Sequence, residues 1–316
     1  MLTSARLTLK QHRFEVAAAL LAAILVGMAA VVVTARLQAV HVPPGCFDVW
    51  LANGPEQAGS CERPVSEFAS INEEEGGRIF AAMAVLPFLV GLLGGVPIVG
   101  RELEARTAQT AWSLHGSRSR WLVRQVVPVA LVLGVAVIFA AVAADALETT
   151  RGPWYDSSYG DLDLHGWPVV ARAFAALGIG LLVGGLIGRT LPAFIVGAVL
   201  SLVLLYGAGE LESTWLQAQR PVVMGDAHGG GGMAMGQAWL APDGSQLTVE
   251  EAISLLPPGT NEPDAWLTDH GYRLVEVGIP ADVILGWVPL EGLGLGLVGV
   301  VTFVGAAVVV ERRRPT

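Results

Sequence analysis

Apolar residues in this chain gather into six runs, each close to the roughly 20 residues that cross a bilayer as a helix, and polar residues fill the stretches between. The first run, residues 14–34, is rich in Ala, Val and Leu and carries no charge after Glu15. The second, 79–99, contains Pro87 and Pro97, which membrane helices tolerate because neighbouring groups re-satisfy the freed carbonyls. The third is 125–145, the fourth 169–188, the fifth 191–209 and the sixth 288–310, with a tight turn from Gly188 to Pro192 between the fourth and fifth. The pattern predicts an all-α polytopic membrane protein with six transmembrane helices.

The polar intervals have characters of their own. Residues 1–13 place Leu2, Ala5 and Leu9 at helical spacing beside Arg6, Lys10 and Arg13, which predicts an amphipathic helix lying in the membrane interface. Residues 35–78 are acidic, with Asp48, Glu56, Glu62, Glu67 and the run Glu73 to Glu75, and they hold the two cysteines. Residues 100–124 form a short charged hairpin, and 146–168 a polar loop with Asp156, Asp161 and Asp163. The longest polar segment, 210–287, has a flexible tract at Gly229 to Gly232. In it, Thr248 with Glu251 three residues on predicts a capped short helix, and Tyr272 to Val277 a strand. Residues 311–316 are a basic tail with Arg312, Arg313 and Arg314.

Composition agrees with membrane residence: 53% of the 316 residues are hydrophobic and 15% are charged, against about 25% charged for a soluble domain. The first run is too long for a cleavable signal and lacks a small-residue cleavage site, so it is expected to stay as an anchor. A net charge of -9 and a pI near 5.1 argue against nucleic acid as a partner. That net value hides an asymmetry. With the N-terminus inside, the inner segments collect Arg6, Lys10, Arg13, Arg101, Arg106, Arg118, Arg120, Arg124, Arg189 and Arg312 to Arg314, with only Glu15, Glu102, Glu104 and Glu311 against them. Nearly all other carboxylates fall outside, so the positive-inside rule predicts two cytoplasmic termini, a cytoplasmic hairpin and extracytoplasmic loops at 35–78, 146–168 and 210–287.

Several chemistries lack their residues. Lys10 is the one lysine, so no P-loop is present and the chain is not expected to hydrolyse ATP. There is no G-x-S-x-G and no H-E-x-x-H, and the six histidines are scattered. Gly294 to Gly299 matches G-x-G-x-x-G but lies inside a span with no strand before it, so a dinucleotide site is not read there. The four-residue spacing of Gly91 and Gly95, of Gly180, Gly184 and Gly188, and of Gly292 and Gly296 is instead read as close helix packing. Cys46 and Cys61 sit in a segment assigned outside, where a disulfide is expected; closing a loop of that size is worth about 3 kcal/mol in the chain-entropy model. Met224, His228, Met233 and Met235 are soft ligands of the kind that suit Cu(I), but the plainer reading is a mobile loop, and no metal site is assigned. Arg172 and Asp145 are read as snorkelling at outer boundaries. With no charge at any span centre, an ion-coupled carrier is disfavoured.

The hairpin carries the most information. From Pro97 it reads P-I-V-G-R-E-L-E-A-R-T-A-Q-T-A-W-S-L-H-G-S-R-S-R-W-L, opening with Arg101, Glu102 and Glu104 and closing on an Arg-Trp corner. This stretch resembles the P-x-x-A-R-E-x-E-x-G-T-x-x-x-A-W-T-Q-S-x-x-R-x-R-W-L segment of ABC-2-type transporter permeases, particularly an actinobacterial group. The matching positions are Pro97, Arg101, Glu102, Glu104, Thr107, Ala111, Trp112, Arg118, Arg120, Trp121 and Leu122. Arg106 stands where the family often has glycine, and Ser113-Leu114 replaces Thr-Gln. Gln11-His12-Arg13 and the segment from Gly278 to the terminal arginines are similar to the family's ends.

The resemblance implies six spans per subunit, a second permease subunit (a homodimer or paralogue), and two cytoplasmic ATPase subunits that hold ATP and Mg. This chain itself would carry no cofactor. The hairpin would be the coupling element, docked in the ATPase through Arg101, Glu102, Glu104, Arg106, Thr107, Trp112, Arg118, Arg120 and Trp121. Glu102 and Glu104 would be anionic docking groups, while Arg118, Arg120 and Trp121 anchor the exit at the lipid interface. Ordinary positive-inside charge accounts for the arginines but not for the paired glutamates. The expected function is the permease subunit of an exporter, in the cell membrane, for a hydrophobic or amphipathic substrate. The rival is a membrane scaffold or sensor whose outer loops bind a ligand.

Overall fold

The computed structural model describes residues 2–53, 58–107, 110, 112, 117–151, 164–219, 221–226, 232–257, 260 and 263–313. Among these described residues, six helices are long and apolar enough to cross a membrane, one for each apolar run. Span 1 is Arg13–Ala39, span 2 Gly77–Glu104, span 3 Arg118–Arg151, span 4 Trp167–Ile187, span 5 Thr190–Gln217 and span 6 Ala281–Arg312. Most outrun their apolar stretch, since a helix that must satisfy its own backbone in lipid continues until something stops it. Span 4 is stopped by Gly188, whose left-handed φ of 68° suits glycine and whose N–H bonds Gly184 O at 2.9 Å. A separate helix, Leu2–Gln11, precedes span 1 and packs on span 3.

Upstream of span 2, part of the segment read as a loop is helical. The helix Glu62–Ile71 passes through a π-turn at Asn72–Gly76 straight into span 2, so one rod runs from Gly59 to Glu104. Its many charges mask an amphipathic pattern in which Val65, Phe68, Ala69 and Ile71 turn inward. The π-turn is tied to its neighbours: buried Asn72 accepts from Arg151 Nε at the end of span 3, and Arg36 at the end of span 1 pairs with Glu75. The Arg151 guanidinium also meets Glu148 at 3.2 Å and lies 4.5 Å over the Phe80 ring. Cys46 and Cys61 form a disulfide across 5.2 Å between Cα atoms, joining the helix Cys46–Asn53 to the start of this rod.

Spans 2, 4 and 6 pack through glycine. A Cβ on Gly91 would meet Ala173 O at 2.6 Å and Leu177 N at 2.7 Å, and Gly95 lies against Gly180. A Cβ on Gly184 would meet Val96 O at 2.8 Å. On the other side of span 4, Phe174 covers Gly299, Gly178 faces Gly299 and Thr302, and the Trp167 indole covers Gly292. Two glycines depart from the packing expectation. Gly296 would meet nothing within 4 Å, and Gly188 caps its helix and leaves room for Arg313.

A correction concerns Arg172. It does not snorkel: its side chain is 3% exposed and bonds Glu291 of span 6, 5% exposed, at 2.8 Å. The aliphatic stem alone cannot satisfy a guanidinium, so a partner on the adjoining helix replaces the water that snorkelling would have reached.

The stretch 210–287 is shorter as a connector than its polarity implies. Span 5 continues to Gln217, and an antiparallel four-stranded sheet follows, ordered β1-β4-β2-β3, with β1 Val222–Asp226, β2 Gly232–Leu240, β3 Gln246–Thr248 and β4 Arg273–Pro280. Trp239 pairs across to Leu247 and Leu274 and packs with Ala252 and Leu267 of two short helices. The first of these, Val249–Ser254, starts on a Thr248–Glu251 capping box, whose two donors hold the Glu251 carboxyl below its ordinary range. Of the Met224 to Met235 group, His228 lies outside the described residues. Trp215 stacks on Trp287 at 5.3 Å where span 5 leaves the bundle and span 6 enters it. The sheet thus marks one end of the bundle and the charged hairpin the other.

Candidate functional site: the charged elbow

Span 2 ends in a Schellman motif. Arg106 N bonds Leu103 O at 3.2 Å, Thr107 N bonds Glu102 O at 3.1 Å, and Arg106 adopts φ 58°. The left-handed region at this position explains why glycine is common there in the permeases this segment resembles. Beyond the turn, Thr110 and Trp112 are helical, and span 3 begins at Arg118. Residues 108, 109, 111 and 113–116 lie outside the described set, Ala111 among them.

Both glutamates are bonded within the chain, and only Glu102 is buried. Glu102 is 7% exposed and accepts from Gln11 Nε2 of the N-terminal helix and from Thr107 Oγ1. Glu104 Oε2 accepts from Thr190 N at 2.9 Å and Thr190 Oγ1 at 2.7 Å. Thr190 is the first residue of span 5, so the Glu104 carboxylate satisfies a donor that the helix start leaves open and sits at the positive end of its dipole. Arg101, exposed like Glu104, reaches Glu15 in the first turn of span 1 at 3.2 Å.

The far side of the elbow is bonded in the same manner. Arg118 Nη1 donates to Glu311 O at 3.0 Å, Val310 O at 3.4 Å and Arg313 O, capping the carbonyl end of span 6. Ser119 Oγ donates to Glu311 Oε1 at 2.9 Å. Arg313 in turn donates to Gly185 O and to Leu186 O at the carbonyl end of span 4. The Arg118 guanidinium lies 4.6 Å over the ring of Trp112, which meets Trp121 edge-on at 6.3 Å between centroids. Trp112 and Trp121 are buried, Arg120 exposed.

The elbow therefore touches the end of every other span: spans 1, 5 and 6 directly, and span 4 through Arg313. Sequence reading missed Gln11, Glu15, Thr190, Glu311 and Arg313 as members. One signal was available, since Thr190 opens a span immediately after a left-handed glycine cap and an arginine. His12 belongs here too: it is 2% exposed, its two ring nitrogens have no partner among the described residues, and burial first of all lowers its pKa. Glu15 and Glu102 pull it upward and Arg101 downward, so the imidazole sits in the elbow's own field.

Six apolar helices around a glycine-packed core, with a charged elbow bonded to their ends, define a multi-pass membrane protein of the permease type. A model of the ABC-2 membrane transporter related family matches residues 16–211, more than half of the chain, and the chain belongs to that family. It is accordingly a membrane permease subunit of the ABC transporter class. The matched stretch contains most of span 1, spans 2 to 4, the turn between spans 2 and 3 and most of span 5, and stops before the sheet. No curated protein and no solved structure matches the chain significantly.

Proposed function

We propose that this subunit exports a hydrophobic or amphipathic molecule across the cell membrane, driven by ATP hydrolysed on two separate cytoplasmic ATPase subunits that hold the Mg-nucleotide. A second permease subunit completes the pathway. The observation that carries this reading is the bonding of the elbow. A short connector with no mechanical task has no need to reach spans 1, 5 and 6 together. Here a displacement of residues 101–118 is delivered to span 5 through Glu104 and Thr190, to span 1 through Arg101 and Glu15, and to span 6 through Arg118. The basic residues at this end and at both termini support a cytoplasmic location for them.

The substrate class draws support from the groove between spans 2 and 5. Its volume is about 490 Å³, and its walls are apolar, including Val85, Phe88, Leu92, Phe194 and Leu205. Ser201 supplies a buried hydroxyl without a partner among the described residues. Walls of that kind favour a hydrocarbon-rich cargo over an ion or sugar.

The direct test is Thr110→Cys, at an exposed helical position just past the turn, in membranes that contain the native ATPase. Both native cysteines are in the disulfide, so the new thiol is unique. Cross-linking to a nucleotide-binding subunit, with a yield that changes on adding ATP, is the expected result. A thiol at this position that reacts only with impermeant reagents from the cell exterior would refute both docking and orientation.

A further inference from the structure

The bundle's elbow end carries a second surface, distinct from the internal bonds. The N-terminal helix exposes Arg6 and Lys10, and the first residue of span 1 exposes Arg13. Leu7, 64% exposed, and Phe14, 71% exposed, alternate with them, and the Arg13 guanidinium lies 4.6 Å from the Phe14 ring centre. This helix packs on span 3, whose first turns expose Arg120 and Arg124 beside the exposed apolar Val123 and Val127. The nearby carboxylates are engaged elsewhere: Glu15 with Arg101, and Glu102 with Gln11 and Thr107.

We propose that Arg6, Lys10, Arg13, Arg120 and Arg124 form a seat for anionic phospholipid headgroups, with Leu7 and Phe14 set among the acyl chains below them. Charge and hydrophobicity point to the same occupant. Five cations without a free counter-charge among the described residues favour an acidic surface, and large apolar side chains between them favour one with a hydrocarbon layer. An acidic protein face would match the cations but leave Leu7 and Phe14 in water. Because Gln11 bonds Glu102, the seat also fixes one side of the elbow. The lipid contact itself does not depend on the transport reading.

The test uses the full chain reconstituted with spin-labelled phosphatidylglycerol or phosphatidylcholine, measuring the motionally restricted fraction of each. The expected result is a several-fold preference for phosphatidylglycerol, falling close to parity in R6Q/K10Q/R13Q at low salt. Raising salt on the unaltered protein should erode the same preference, which checks the claim without relying on the variant's fold. Leu7→Ser with Phe14→Ser should weaken retention of both lipids while leaving the ratio between them. No preference in the unaltered protein, or one insensitive to salt and to the triple substitution, overturns the proposal. So does a triple variant that keeps its lipid selectivity but stops co-purifying with an ATPase subunit, which would reassign the seat to a protein partner. Loss of lipid selectivity with ATPase co-purification intact supports it.

Discussion

Spans 4 and 5 are joined by a two-residue turn, yet they are held in opposite ways. In the most apolar stretch of span 4, 67% of residues are buried inside the chain; in span 5 the figure is 17%. Span 4 is clasped on two sides by glycine contacts with spans 2 and 6 and carries the Arg172 to Glu291 bond. Span 5 touches the bundle through a narrow stripe of small residues, Ala193, Gly197 and Ser201, and is capped by Glu104 from the elbow. Burial that extensive makes span 4 part of one block with spans 2 and 6, since close-packed interfaces shift between discrete arrangements rather than deform. A helix with one shallow contact stripe and a polar tie at its end is the element that an elbow can move at low cost.

The sharpest way to break the block is Arg172→Met. It leaves Glu291 buried without its partner on span 4 and should destabilise the protein by about 3–5 kcal/mol. Thermal unfolding in detergent reads this, and Arg172→Met with Glu291→Met should recover most of the loss. If the single and double variants unfold alike, the pair does not hold spans 4 and 6 together. Gly91→Leu is the next largest, at about 1–3 kcal/mol, because even its Cβ would overlap the span 4 backbone. The matched change in span 5, Gly207→Leu, meets nothing within 4 Å and should cost no stability. Equal effects at the two glycines would erase the contrast between the spans.

Span 5 invites a functional break. Glu104→Gln with Thr190→Val removes the polar tie while leaving the contact stripe. The expected outcome is near-normal unfolding, with transport uncoupled from ATP hydrolysis. Preserved coupling would mean that force reaches span 5 by another route. Reversing the charge of Glu102 and Glu104 would be a less specific test. Glu102 is buried, so reversal there would strain the fold itself.

How far the sequence could reach follows from what each feature depends on. Spans were legible because lipid demands a continuous apolar run, and that demand is local in the chain. The disulfide was legible because two cysteines share one segment. The rod from Glu62 was missed because its charged residues outnumber an apolar face only four residues wide. Arg172 was misread because its partner lies 119 residues away, and no local pattern says which helix will face it. The charged stretch between spans 2 and 3 stood out in the sequence, but the direction of its side chains did not: whether Glu102 points to a partner or to Gln11 depends on where the N-terminal helix lands.

Arg106 offers the finest discrimination. Its backbone occupies the left-handed region at the C-terminal cap of span 2, with φ 58°, where a side chain costs about 1–2 kcal/mol relative to glycine. Glycine would also make the unfolded chain more flexible, which offsets about 0.5–1 kcal/mol of the gain. Arg106→Gly should therefore raise stability slightly, by roughly 0.5–1 kcal/mol, visible as a small upward shift in Tm. Strain retained at an exposed position next to the elbow's bonds calls for a compensating use of the side chain. If the guanidinium binds an ATPase subunit, the glycine variant gains stability and loses nucleotide-dependent coupling together. A variant that gains stability with coupling intact would show that this side chain serves no partner and that the elbow works through its internal bonds alone.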